Sequence, residues 1–327
     1  MACVPGAYDD RGAFPPPDGA SDVKRLETLA GSLPPPLVET LGRKLGRLAF
    51  LLDWRHRRIV EQNMTFVFDE LSPAQIRGLS RRVFEHYGVM VLETLQIPCL
   101  SRSQLEARVR IENEAILLEA LDHPRGCLLI SAHLGNWELA LLAMAARLDR
   151  SVLTVAKPIK LKALNRWLTA LRSRFGNAVV YKKGAMPAMV KALRAGRTVA
   201  ILIDHGVRRT EAVEVQFMGR RTMATPAAAL LALRGRMPVI PMVCTREAQG
   251  RYVIKVQPSV EFERSGNLRR DIQAYTQKLM HPLEDAIRDS PEQWFWFHKR
   301  WKRTHPALYP EYQVQRRRKR IREGREV

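Results

Sequence analysis

Two hydrophobic periods divide this chain. From Gly126 onward, short apolar runs bounded by turn residues alternate with longer stretches of helix formers. The run 126–132 (GCLLISA) follows the turn signal His123-Pro124-Arg125 and predicts a strand buried on both faces. Gly135 and Asn136 break it, and 137–148 (WELALLAMAARL) reads as a helix. The alternation continues with strands at 151–156, 178–181, 198–203, 213–217, 238–245 and 252–257. Helices are predicted at 161–175, 185–195, 226–236 and 268–288. Strands alternating with helices imply an α/β fold: a mostly parallel central sheet flanked by helices.

Before Gly126 the pattern changes. Residues 1–22 are rich in Pro, Gly and charge, without a period, and read as disordered. A short helix is expected at 23–32, then a stiff break at Pro34-Pro35-Pro36. Across 37–60, Leu37, Leu41, Leu45, Leu48, Leu51 and Leu52 fall near helical spacing, with Arg43, Lys44 and Arg47 largely elsewhere. Such a basic amphipathic helix suits a membrane interface; packing on its own domain with a solvated basic face is the other reading. Ser72-Pro73 opens a helix expected to reach Gln96, on which Glu85, His86 and Glu93 read as a solvated face rather than a metal site. A further short helix is expected at 111–121. The implied organisation is a disordered stretch 1–22, a helical N-terminal extension 23–125, an α/β core 126–305 and a basic disordered tail 306–327.

Composition narrows the partners. Net charge is +21 over 327 residues, which points to nucleic acid, an anionic membrane, an acidic carrier protein or a phosphorylated substrate. Four cysteines form no CxxC, so no zinc site is indicated, and Cys127 and Cys244 read as core. No apolar run reaches the length of a membrane span, and the N-terminus does not read as a signal peptide. Near the end, Trp294-Phe295-Trp296-Phe297 precedes a cluster of cations. That segment fits either a membrane interface or packing on the sheet.

The candidate chemistry lies at strand ends, where open α/β sheets place their sites. His133 sits where one strand runs out, and Glu138 in the first turn of the next helix. A turn between them can fold the carboxylate onto the imidazole and make His133 a general base. Glu138 also suits a role at the helix dipole alone. Lys157 and Asp204 end two further strands and are placed to face the same cleft; Asp204 otherwise caps a turn. His205 reads as a hydrogen-bonded neighbour rather than a second base. The helix opened by Thr225-Pro226 offers backbone N–H groups for an anion. There is no GxSxG, Walker A loop, GxGxxG or HExxH, so no nucleotide cofactor or zinc protease is indicated.

Taken in order, AHLGNWE, the Lys157-Pro158 step, RSRFG, the strand ending in Asp204, FMGRR, the TP-initiated helix and PEQWFWFHKRWK resemble the late acyltransferases of lipid A biosynthesis, within the lysophospholipid acyltransferase superfamily. The resemblance spans about 37–303. It implies transfer of a fatty acyl chain from an acyl carrier protein or acyl-CoA thioester to a hydroxyl of an anionic lipid, with His133 as base and Glu138 as its partner. Lys157, Arg172, Arg174, Asp204 and Arg220 are the implied substrate-binding residues. No metal or organic cofactor is implied. The implied location is peripheral, on the cytoplasmic face of the bacterial inner membrane. The acceptor stays open between a lipid A precursor or related glycolipid and a lysophospholipid or glycerol phosphate. Nucleic-acid binding is the non-enzyme alternative, and no known nucleic-acid module accompanies it. The chain departs from the family in Asp204-His205-Gly206, where Asp-Gln-Asp is usual, in Lys157, where Arg is frequent, and in its reduced N-terminal anchor.

Overall fold

The computed structural model of this protein describes residues 21–207, 210 and 212–314. The stretch 1–20 and the arginine-rich end 315–327, both expected to be disordered, lie outside the described residues. The N-terminal part is helical: α1 (Ser21–Gly31), α2 (Pro35–Leu52), α3 (Trp54–Val67), α4 (Pro73–Gln96) and α5 (Arg102–Ala107). Then follow β1 (Val109–Glu112), α6 (Glu114–Leu121), β2 (Cys127–Ser131), α7 (Trp137–Leu148), β3 (Val152–Ala156), α8 (Lys162–Arg172), β4 (Ala178–Tyr181), α9 (Ala185–Arg194) and β5 (Thr198–Leu202). The chain continues with β6 (Val213–Phe217), β7 (Arg220–Ala224), α10 (Ala227–Gly235), β8 (Val239–Arg246), β9 (Tyr252–Val256) and α11 (Leu268–Asp289).

Seven strands form one sheet in the order β1-β9-β8-β2-β5-β3-β4. All neighbouring pairs are parallel except β8 with β9. The fold is therefore α/β with a mostly parallel sheet. From β2 the chain winds to β3 and β4 on one side and later reaches β8 and β9 on the other. The winding direction thus changes beside β2, whose carboxyl end is where such sheets leave a crevice. β2 is buried throughout except at Ser131, as its unbroken apolar run requires.

Two elements differ from the sequence expectation. The stretch 111–121 divides into β1 and α6, so the sheet begins inside the segment read as an N-terminal extension. Four residues are too few to show a period. Between the strand at 213–217 and the helix at 226 stands a strand the sequence did not predict: Met218 and Gly219 both take positive φ, and β6 returns as β7 in a hairpin.

The long leucine-rich stretch breaks at Asp53, which caps α3 through the His56 N–H. The face of α2 that packs inward is not its leucine stripe but Val38, Gly42, Gly46 and Phe50. Small residues let α2 cross α4 at close range: a Cβ on Gly88 would stand 2.1 Å from the Gly42 carbonyl oxygen. The leucines are left outward. This crossing also buries the polar side of α4. Glu85 bonds Arg47 at 2.7 Å, and Glu93 holds Arg246, so these acids are neither solvated nor gathered round a metal. His86 is buried beside them and pushed down to about 3 by desolvation.

The aromatic segment near the end belongs to the core. Trp294, Trp296, Trp301 and Tyr309 are fully buried, against the membrane-interface reading. The Asn63 amide donates to the Trp296 and His298 carbonyls, tying this segment to α3. The expected tail from 306 is thus partly packed structure.

Candidate active site

The turn after β2 is fixed from three directions. Gly135 has φ +60°, and a Cβ there would lie 2.3 Å from the Cys244 carbonyl oxygen, so only glycine fits. Asn136 caps α7 by accepting the Leu139 N–H. Leu134 forms an isolated bridge with Trp294, and the Phe295 N–H donates to the His133 carbonyl at 3.0 Å. His133 is thereby held rigidly at the rim.

Its partner is decided by strand register. β2 and β5 run parallel with Ser131 beside Leu202. Two residues further along each chain, His133 meets Asp204. Asp204 Oδ1 lies 2.8 Å from His133 Nδ1, and Oδ2 accepts both the His133 backbone N–H at 3.0 Å and the Trp294 Nε1–H at 2.7 Å. The carboxylate is fully buried; the His133 side chain keeps 20% of its surface open. Burial works to raise the Asp204 carboxyl, but His133 and the hydrogen bonds outweigh it and hold it well below the ordinary carboxylate range. Three donors on one buried carboxylate fix the imidazole in a single orientation, and the Nδ1 contact leaves Nε2 as the atom able to take a proton.

Glu138 does not fill the partner role expected from its spacing. It lies in the first turn of α7, and its carboxylate points to α8, where Arg172 grips it through Nε at 2.8 Å and through Nη2. Trp137 Nε1 also donates to it at 3.0 Å. A bidentate guanidinium with one further donor occupies both oxygens. Glu138 instead orients Arg172, and the two remain beside His133 in the same cavity.

That cavity, about 220 Å³, opens between the sheet and α7. His133, Trp137, Glu138, Lys157 and Arg172 are among its polar lining. Leu129, Leu141, Ile201 and Met242 are among its apolar walls. Of the other residues expected here, Arg174 is buried and donates to the Ile97 and Leu100 carbonyls, closing a short helical turn elsewhere. Arg220 holds the Phe66 carbonyl and Asp69. Both guanidiniums are engaged by backbone oxygens, and neither residue lines the cavity. The start of α10 is not part of the cavity lining either.

One feature escaped the sequence reading. His205 stacks face to face on His133, centroids 3.7 Å apart and planes within 4°. His133, Asp204 and His205 bring donor atoms within 4.8 Å of one another, the one such cluster among the described residues. Parallel rings send their lone pairs along parallel planes, so as they stand they do not converge on one ion. The only sequence signal was the departure at Asp204-His205-Gly206.

Residues 26–303 match the family of bacterial lipid A biosynthesis acyltransferases. The chain belongs to that family. It is 25% identical over 283 residues to the lipid A biosynthesis lauroyltransferase of Escherichia coli (strain K12), covering 86% of this chain and 90% of that protein. It is 23% identical over 303 residues to the phosphatidylinositol mannoside acyltransferase of Mycolicibacterium smegmatis, covering 84% and 95%. The lipid A biosynthesis palmitoleoyltransferase of Escherichia coli (strain K12) is 23% identical over 278 residues, covering 84% and 88%. The chain is thus an acyltransferase, and the cavity at His133 is where its chemistry is to be sought.

Proposed function

We propose that this acyltransferase moves a fatty acyl chain from an acyl-carrier-protein or CoA thioester to a hydroxyl of an anionic glycolipid, a lipid A precursor or a close relative. The observation that carries this is the His133–Asp204 pair, whose imidazole lines a cavity that also has apolar walls. His133 Nε2 takes the proton of the acceptor hydroxyl as its oxygen attacks the thioester carbonyl. The tetrahedral intermediate then collapses, the carbon–sulfur bond breaks, and the imidazolium returns its proton to the leaving thiolate. Asp204 stabilises the imidazolium in between. Arg172, held by Glu138, and Lys157 line the cavity with positive charge, suited to the developing oxyanion or to an acceptor phosphate.

Surface charge supports anionic substrates. Between Asp149 and Asp204 the chain carries no carboxylate side chain, while Lys and Arg recur; Lys157, Lys160, Lys182 and Lys183 are exposed on the loops after β3 and β4, and Lys162 is exposed at the start of α8. The relatives named for lipid A and for phosphatidylinositol mannoside share a glycolipid acceptor, which favours that class here.

The same reading places the protein peripherally on the cytoplasmic face of the bacterial inner membrane. No helix among the described residues is long and apolar enough to cross a membrane. The support is α2, whose exposed Leu37, Leu41, Leu45, Leu48, Leu51 and Leu52, with Trp54 beyond, lie beside exposed Arg43, Lys44 and Arg47. The test is direct: purified protein is given carrier-protein and CoA thioesters with a panel of glycolipid and phospholipid acceptors, and products are read by mass spectrometry. Transfer to a glycolipid, abolished in His133→Ala with the fold retained, is expected. No transfer with any donor–acceptor pair, or undiminished transfer by His133→Ala, refutes the reading.

A further inference from the structure

His133 is the first ring of a stack. His205 covers one face of it, and His298 lies against the other face of His205, centroids 4.4 Å apart and planes within 16°. His205 Nε2 and His298 Nδ1 are buried and have no hydrogen-bond partner. Each ring thus leaves one buried nitrogen unused. What His205 presents to His133 is its face.

That arrangement is a poor one for two neutral rings. Centroids 3.7 Å apart stand closer than the roughly 4.5–7 Å usual for aromatic pairs. Aromatic pairs prefer an offset or an edge-to-face approach. The balance changes when one ring becomes a cation, because a π face attracts positive charge. A contact that gains only when His133 is protonated stabilises the transition state and not the ground state.

The second ring must then stay neutral while the first is charged. Burial pushes His205 down to about 3, and the positive charges of His133, Arg300 and Lys302 act in the same sense against the opposing pull of Asp204. His298 is held well below its ordinary range, first by burial and then by His205, Lys302 and Arg300. The remaining neighbours of His133 are fixed: Asp204 at Nδ1, Trp137 edge-on at 4.9 Å and Phe295 at 6.2 Å. Glu138, Arg172 and Lys157 share its cavity, with the two former paired to each other. Tyr87, reaching the Gln293 carbonyl from α4, is half-buried, and desolvation raises its hydroxyl well above its usual value, with the Asp204 charge adding to it, so it stays neutral too.

We propose that His205, backed by His298, is a positioning residue for the general base: its neutral π face fixes the plane of His133 and stabilises the imidazolium that forms when His133 takes the acceptor proton. This rests on His133 acting as the base.

The experiment compares wild type, His205→Ala and His205→Phe for kcat and KM, and follows ¹⁵N-labelled histidine rings of the wild type by NMR. Cation–π magnitudes between the exposed and the fully desolvated limits, as for a ring that keeps 20% of its surface open, correspond to about tenfold in rate. The expected result is a kcat about tenfold lower in His205→Ala, with KM within about twofold, and recovery to within about threefold in His205→Phe, which keeps a face and has no nitrogen. A phenylalanine variant as slow as the alanine variant, or an alanine variant as fast as wild type, overturns the proposal. The NMR arm needs neither substitution nor turnover. His205 is expected to stay neutral over the range in which His133 takes up its proton, and protonation of His205 in that range overturns the proposal even if the variants misfold. Absence of turnover by the wild type would refute the proposed donor and acceptor instead, leaving the stack to be judged by the NMR arm.

Discussion

Replacing Asp204 with asparagine separates the two carboxylates near His133. Asp204 Oδ2 receives two donors, the His133 backbone N–H and the Trp294 Nε1–H, while Oδ1 faces His133 Nδ1. An asparagine keeps one oxygen. Placed at the Oδ2 position, that oxygen satisfies both fixed donors and turns the amide NH₂ toward Nδ1. His133 must then accept at Nδ1 and carry its proton on Nε2, where it cannot serve as a base. The flipped amide would set NH₂ against two N–H donors in a fully buried site, at a cost of about 1–3 kcal/mol for each donor left unpaired. The wrong tautomer is therefore the one favoured. In a serine protease triad the analogous change lowers turnover by about 10⁴, and a loss of roughly 10³–10⁴ in kcat with little change in KM is expected here. The assay is steady-state acyl transfer, with circular dichroism to confirm folding. Glu138→Gln should act differently, raising KM for the anionic acceptor by loosening Arg172. If Asp204→Asn stayed within tenfold of wild type while Glu138→Gln lost kcat by a thousandfold, the assignment of partners would be refuted.

Three further outcomes are expected. His86 is buried neutral and pushed down to about 3, so below its unfolded value near 6.5 the unfolded chain binds the extra proton and stability falls as pH falls. The slope is about 1.4 kcal/mol per pH unit, or about 2 kcal/mol between pH 7 and pH 5; urea unfolding of His86→Asn should show a pH slope smaller by that amount, and an unchanged slope counts against it. A Cβ on Gly46 would meet the Phe84 carbonyl oxygen at 2.2 Å, so Gly46→Ala should destabilise by about 1–3 kcal/mol and lower Tm, whereas a wild-type melting curve would mean α2 is not seated there. Replacing the exposed Leu45, Leu48 and Leu52 with glutamine removes no core contact but at least about 1 kcal/mol of apolar transfer each; binding to anionic vesicles should weaken by about 100-fold at constant Tm, and undiminished binding would place the membrane contact elsewhere.

Much of the architecture was legible because local rules decide it. The apolar run of β2, the Asn136 cap and the helix formers of α7 fix a strand, a turn and a helix from neighbours alone. β1 and β7 were missed because four or five residues carry too little periodicity, and β7 exists only as the return of a hairpin. The leucine spacing of α2 identified a helix but not which face turned inward, since close approach through Gly42 and Gly46 outweighed the apolar stripe once α4 lay across it.

The chain by itself determined that His133 would stand at the end of a buried strand, because apolar runs and turn residues act over a few positions. Only the tertiary structure decided what the imidazole touches. Asp204 and His205 lie some seventy residues away, and they reach His133 through the parallel register of β2 with β5, a pairing written in no local pattern. Glu138 is close in sequence, but Arg172 on the next helix satisfies its oxygens first. Hydrogen bonds and ring contacts are made between groups brought together in space, and the sheet sets that adjacency.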